Sequence, residues 1–349
     1  MLGTLPALVR TLVGAALLLC LCVVVLGAYV RLSNAGLGCP DWPGCYGHFT
    51  PSGAAADARV LASPMAGRPL EVGKAWREMV HRYAAGTLGL LIASLVLIGI
   101  LRPSERVLPA RYVTILLAIV LAQALLGMLT VTWQLEPLVV TLHLLFGFTT
   151  LSLLLWLVLS LAGRAHGPNP APGGTAARAV AGADATARAR LLATLALIAL
   201  GVQIALGGWT SSNYAAMGCP DFPTCQAQWW PAGDYLAAFD LRGASARTYE
   251  GGVLDAPART AIQFSHRLGA LVIAIVLSSA ALSVLLRVPG KLAKRAAWLV
   301  LAALALQLII GISMVLEGFP LWLATAHNAG AAVLLMATVG LNRTLRPLA

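Results

Sequence analysis

Charge is scarce in this chain: 13 acidic and 24 basic side chains make up 11% of its 349 residues. Soluble domains carry about 25% charged residues. The shortage excludes a soluble enzyme, a disordered tail and a secreted mini-protein. A cleavable leader is not expected either. The first apolar run has no clear small-residue cleavage site and is long for a signal sequence, so it reads as a retained helix. What is present is apolar, 59% of the chain. Eight apolar stretches stand out, at about 8–30, 80–101, 111–133, 138–161, 191–210, 262–286, 296–316 and 321–342. Each is long enough to cross the hydrocarbon as a helix, which satisfies its own backbone. The expected fold class is all-α: a polytopic membrane protein of eight transmembrane helices.

The charges are unevenly divided. The two ends and the segments 102–111, 162–190 and 287–295 carry 14 Lys/Arg but only two acids, Glu105 and Asp184. The opposite side holds 10 Lys/Arg and 11 acids. Net charges of +12 and −1 make up the +11 of the whole chain. By the positive-inside rule both termini are expected in the cytoplasm, and a bacterial cytoplasmic (inner) membrane is the expected location. The basic balance is thus a topology signal and implies no nucleic-acid partner.

The segment 162–190 is rich in Gly, Pro and Ala and reads as a flexible linker. It divides the chain into an N-terminal half, 1–165, a cytoplasmic linker, 166–189, and a C-terminal half, 190–349. The halves repeat each other. Cys39-Pro-Asp-Trp-Pro-Gly-Cys45 recurs as Cys219-Pro-Asp-Phe-Pro-Thr-Cys225, and Glu78-x-x-His81-Arg82 recurs as Gln263-x-x-His266-Arg267. His143 pairs with His327, and Gln123 with Gln307. Four spans per half is an even number, so the expectation is two parallel-repeat four-helix bundles.

Of six histidines, His48 and His166 fall in loops. The other four, His81, His143, His266 and His327, fall within the first two turns of the even-numbered spans. They therefore share one depth, near the outer face. Ionisable residues within spans are rare and usually functional. Zinc wants four tight ligands, or three and a water. Two facing histidines per half suit instead the axial positions of a haem iron, with the haem between the helices of a bundle. Arg82 and Arg267 follow their histidines and could pair with haem propionates, or could simply snorkel to the interface. All ligands lie on one side, which disfavours a transmembrane electron conduit.

The halves differ at one chemical position. Glu78 precedes His81 by three residues on the same helix face, where the second half has the non-titrating Gln263. A carboxylate beside an apolar cofactor can act as a base or stabilise positive charge. The N-terminal half is therefore read as catalytic and the C-terminal half as an auxiliary haem site. A salt bridge from Glu78 to Arg82 is the competing account. Glu136 has no assigned role. Cys39/Cys45 and Cys219/Cys225 are expected to close local disulfides, with redox activity as the alternative. Cys20 and Cys22 lie in the first span and read as packing residues.

Together these features resemble the haem A synthase family, bacterial and mitochondrial, which makes haem A for cytochrome oxidase assembly. The resemblance covers essentially the whole chain. It implies an oxidoreductase that converts haem O to haem A, turning a porphyrin methyl group into a formyl group through successive hydroxylations. It implies that His81 and His143 ligate the substrate haem, that His266 and His327 ligate haem B, and that Glu78 is catalytic. Cys39 and Cys45 match a first-loop pair found in some members, and Cys219 and Cys225 look structural. Haem O synthase is implied as a partner by the pathway, together with an unidentified electron acceptor. Self-association stays open. A bis-histidine b-type membrane cytochrome or haem carrier is the alternative, and a transporter built of parallel repeats a remoter one.

Overall fold

The computed structural model describes residues 4–62, 68–102, 108, 110–165, 176–241 and 248–346. His166 and the Gly/Pro-rich run 167–174 lie outside them. Among the described residues, eight helices are long and apolar enough to cross a membrane. In chain order the helices are α1 (Thr4–Leu32), the short α2 (Pro51–Ala56) and α3 (Ala58–Ala62), α4 (Val72–Leu101), α5 (Ala110–Thr132) and α6 (Pro137–Ala165). They continue with α7 (Ala176–Ser212), the four-residue α8 (Tyr235–Ala238), α9 (Ala256–Arg287), α10 (Lys291–Leu316) and α11 (Leu321–Thr344). Isolated bridges of Cys45 with His48 and of Cys225 with Gln228 close matching turns.

Three helices start six or more residues earlier than the apolar runs indicate. α4 begins at Val72 and α9 at Ala256, so both project beyond their apolar stretches. A helix outside the hydrocarbon need not be apolar, and the added turns of α4 carry Lys74 and Arg77. His81 and His266 are accordingly the tenth and eleventh residues of their helices, not within the first two turns. α7 begins at Ala176, inside the segment read as linker. Residues 176–193 are dominated by Ala, Arg and Leu, among the strongest helix formers.

Helices α1, α4, α5 and α6 pack as a closed ring of neighbours, and α7, α9, α10 and α11 form a second ring in the same order. The rings meet where α6 packs on α7 and α11, and where α1 packs on α11. The repeat equates α1 with α7 and α6 with α11. Exchanging the halves therefore turns the α1–α11 contact into the α7–α6 contact and maps the α6–α11 contact onto itself. That is a pseudo-two-fold axis along the bundle. Leu151 and Leu154 of α6 and Leu334, Leu335 and Val339 of α11 belong to one buried cluster spanning both halves.

Polar contacts join the halves at both ends. On the face carrying the disulfide loops, Arg31 donates to the Ser211 carbonyl at 2.6 Å, at the C-terminus of α7, where a cation meets the negative end of the helix dipole. Arg68 pairs with Glu250 at 2.7 Å. Thr141 and Ser212 share a buried hydrogen bond of 3.2 Å. On the opposite face Arg343 donates to the Ser160 hydroxyl at 3.2 Å. Glu136 receives a role: its carboxylate accepts the Val139 amide at 2.8 Å and caps the first turn of α6.

Candidate functional site

The four span histidines come together two by two, one from each even-numbered span of a half. In the C-terminal half the rings of His266 (α9) and His327 (α11) stand 6.4 Å apart between centroids, with planes at 79°. Two metal–nitrogen bonds of about 2 Å each, plus about 1 Å from nitrogen to ring centre on either side, span roughly 6 Å. That separation would leave room for a single metal ion between the two rings. Among the described residues, no three His, Cys, Asp or Glu side chains gather to hold a bare metal ion. An ion between these histidines would take its other ligands from a cofactor, and a porphyrin meets that need.

Each histidine rests on a glycine of a neighbouring odd-numbered span. A Cβ built on Gly27 would lie 2.9 Å from Cε1 of His81, and one on Gly127 would lie 3.2 Å from Cε1 of His143. The matching distances are 3.1 Å from Gly207 to His266 and 3.0 Å from Gly311 to His327. Any side chain there would push the ring away, so the bare backbone sets where each imidazole lies. These four seats escaped the sequence reading. A signal was present, because Gln-x-x-x-Gly occurs at 123–127, 203–207 and 307–311. The side-chain amides of Gln123, Gln203 and Gln307 donate to the main-chain carbonyls of His143, His266 and His327, at 3.0, 2.9 and 3.0 Å.

Above each pair lies a disulfide loop. Cys39–Cys45 and Cys219–Cys225 are both bonded, with Cα–Cα distances of 4.7 and 4.6 Å. An aspartate nucleates each loop. Asp41 accepts the amides of Tyr46 and Gly47 at 2.6 and 2.8 Å. Asp221 accepts those of Gln226 and Ala227 at 2.6 and 3.0 Å. The Thr224 hydroxyl, with these amides, holds the Asp221 carboxyl below its ordinary range. His48 of the first loop contacts the Asp57 carboxylate at 3.3 Å.

The arginines that follow the histidines turn toward these loops. Arg82 donates to the carbonyls of Asp41 and Gly44 at 2.8 and 2.6 Å. Arg267 donates to those of Asp221, Thr224 and Cys219 at 2.7, 2.8 and 2.7 Å. The Nε of Arg267 is buried without a hydrogen-bond partner among the described residues. Glu78 is only 4% exposed. One carboxylate oxygen accepts the Cys39 amide at 2.9 Å, and the other pairs with Arg82. The ion pair weighed against a catalytic role is thus formed. It also links the histidine helix to the first disulfide. Gln263 is equally buried at 4%, but its Oε1 has no partner among the described residues. The cysteines of the first span divide, Cys20 buried and Cys22 exposed.

A family model described as cytochrome oxidase assembly protein matches residues 10–339. The chain is 40% identical over 334 residues to a protein named haem A synthase from Shewanella oneidensis, covering 95% of this chain and 94% of that one. It is 28% identical to a haem A synthase from Mesorhizobium japonicum, covering 94% and 88% of the two chains. It is 27% identical to one from Rhizorhabdus wittichii, covering 90% and 87%.

Proposed function

The chain belongs to the cytochrome oxidase assembly protein family, whose relatives matched here are named haem A synthases, and on that premise we propose that it is itself a haem A synthase. It takes haem O and oxidises one porphyrin methyl group to a formyl group by successive hydroxylations, which makes it an oxidoreductase acting on a C–H bond. The observation that carries this reading is the doubled histidine pair, each ring seated on a glycine.

In this reading His81 and His143 hold the substrate haem in the N-terminal half. His266 and His327 hold a resident haem B in the C-terminal half, which would supply a one-electron carrier. The residues of the chain divide the remaining work. The glycines set the ring positions. Arg82 and Arg267 fix the disulfide loops above the two pockets, and a propionate contact would use the free Nε of Arg267. Glu78, one helical turn from His81, is the ionisable group best placed to accept a proton or to stabilise positive charge developing at the substrate. Gln263 cannot do either, so only the N-terminal half is assigned chemistry.

The positive-inside rule puts both termini in the cytoplasm and the disulfide loops outside a bacterial inner membrane. There the loops meet an oxidising compartment. Haem O synthase is the expected donor of the poorly soluble substrate. An electron acceptor is required by the oxidation.

The test is the identity of the haem extracted from protein expressed together with a haem O synthase. Haem B accompanied by haem A, or by a hydroxylated haem O, supports the synthase. Haem B alone, with haem O available, points to a cytochrome.

A further inference from the structure

The repeat supplies an internal control for the junction of α6 with α11. At the end opposite the disulfide loops the two sides of that junction differ. Matched on His143 and His327, Trp156 of α6 corresponds to Gly340, Leu159 to Arg343 and Ala162 to Arg346. The α6–α11 contact maps onto itself, so the place of Trp156 and Arg343 on one side belongs to Gly340 and Leu159 on the other. An apolar junction serves there. Arg343 is only 8% exposed, and burying a guanidinium costs desolvation that packing alone does not require.

Two guanidiniums gather on one indole. Cζ of Arg343 lies 5.6 Å, and Cζ of Arg346 5.2 Å, from the centroid of the Trp156 ring. Arg343 donates from Nη1 to the Arg346 carbonyl at 3.3 Å, besides its bond to Ser160. Arg190 of α7 donates from Nε to the Leu345 carbonyl at 3.0 Å. Its two Nη groups, and the whole guanidinium of the exposed Arg346, make no hydrogen bond to a described residue. A stacked arginine keeps its in-plane N–H groups, the fork that matches phosphate oxygens. Three positive charges thus meet the end of α11, whose dipole offsets about half a charge. This face as a whole has 14 Lys/Arg against Glu105 and Asp184. The spans involved end at Ala162 and Thr344, which puts the arginines at headgroup depth and the indole just inside it.

We propose that Arg190, Arg343 and Arg346, with Trp156, form a site for the phosphate diester of an anionic membrane lipid, at the cytoplasmic junction of the two halves. This rests on the positive-inside orientation and not on the haem reading. Basic pockets between spans on the cytoplasmic side take anionic headgroups. Arg190 and Arg346 supply the donors for the phosphate oxygens. Arg343 holds the Arg346 carbonyl and shares its indole, which positions that donor. A zwitterionic lipid would bring an ammonium group to a face with two acids for 14 basic residues. One bound headgroup would touch α7 and α11 beside the indole of α6, and so tie the halves together.

The test is native mass spectrometry of the delipidated holoprotein with added lipid. Dioleoylphosphatidylglycerol is expected to bind at least about tenfold tighter than dioleoylphosphatidylcholine. Arg190→Gln combined with Arg346→Gln should abolish that preference. Arg10→Gln, at the repeat counterpart of Arg190, should leave it intact, which separates a site from a diffuse field of charge. Should the double variant fail to fold, Arg346→Gln alone decides, because that side chain is exposed. Equal binding of the two lipids overturns the proposal. So does a preference that survives the arginine variants, or one that falls as far in Arg10→Gln. Displacement of phosphatidylglycerol by inorganic phosphate would assign the site to a soluble anion and overturn the lipid. Haem content is read from the same spectra, so a failure of the haem reading shows separately.

Discussion

The N-terminal and C-terminal halves share helix order, histidine placement, glycine seats and disulfide loops, yet differ in the polar side chains set around these parts. The C-terminal half fills its positions with neutral amides: Gln203 and Gln307 beside the histidines, and Gln263 where the acid would be. The N-terminal half has valine where the first glutamine would stand and an ionised pair, Glu78 with Arg82, beside its loop. In the proposed reading, the duplicated fold keeps one copy as a resident cofactor site and uses the other for chemistry. Very few side chains separate the two.

The sharpest way to break the comparison is to make the N-terminal half resemble its twin. Glu78→Gln is expected to leave haem content unchanged and to lower haem A formation by roughly 100-fold or more, the range typical of losing a positioned acid or base. Haem content and turnover measured on the same preparation check this. Full activity in that variant removes Glu78 from the chemistry. The converse variant, Gln263→Glu, is expected to create no activity in the C-terminal half.

A smaller effect follows from the feature the halves share. Gly27→Ala and Gly207→Ala each place a methyl group 2.9 and 3.1 Å from a histidine ring carbon. Overpacking of this kind costs about 1–3 kcal/mol. The ring should shift at the substituted half alone, seen as a change in the electron paramagnetic resonance of that haem. Equal shifts at both haems would contradict independent seats.

Smaller still is the cross-link between halves. Arg68 and Glu250 are each more than a quarter exposed, so Glu250→Gln is expected to cost at most about 1 kcal/mol in unfolding. The weakest lever is acid. The Asp221 carboxyl is held below its ordinary 3.8 by groups of the folded loop. The contribution is therefore present above that value and is lost as pH falls through the lowered folded value. Hydrogen exchange at the Gln226 and Ala227 amides should stay slow near neutrality and accelerate only in strong acid.

Much of this architecture was legible in the sequence, for definite reasons. Spans and repeat were visible because lipid demands long apolar runs and duplication leaves matched motifs at one offset. The disulfides followed from close spacing with prolines between. The starts of α4 and α9 were not legible, since turns outside the hydrocarbon carry Lys74, Arg77 and other polar residues that break an apolar run. The targets of Arg82 and Arg267 were hidden because a guanidinium can snorkel, bind a cofactor or cap a loop, and only the folded loop decides. The glycine seats were overlooked because a glycine in a span has many uses. Its meaning here depends on which ring from another helix lies against it. Glu136 likewise needed the first turn of α6 to become a cap.

The central claim is that the halves hold different haems. The most direct measurement is the haem content of His143→Ala and His327→Ala, each expressed with a haem O synthase and analysed by chromatography and mass spectrometry. The account predicts that His143→Ala loses haem O and haem A while retaining haem B, and that His327→Ala loses haem B while its N-terminal site still takes haem O. Loss of haem B from His143→Ala, or proportional loss of every haem from both variants, would contradict it.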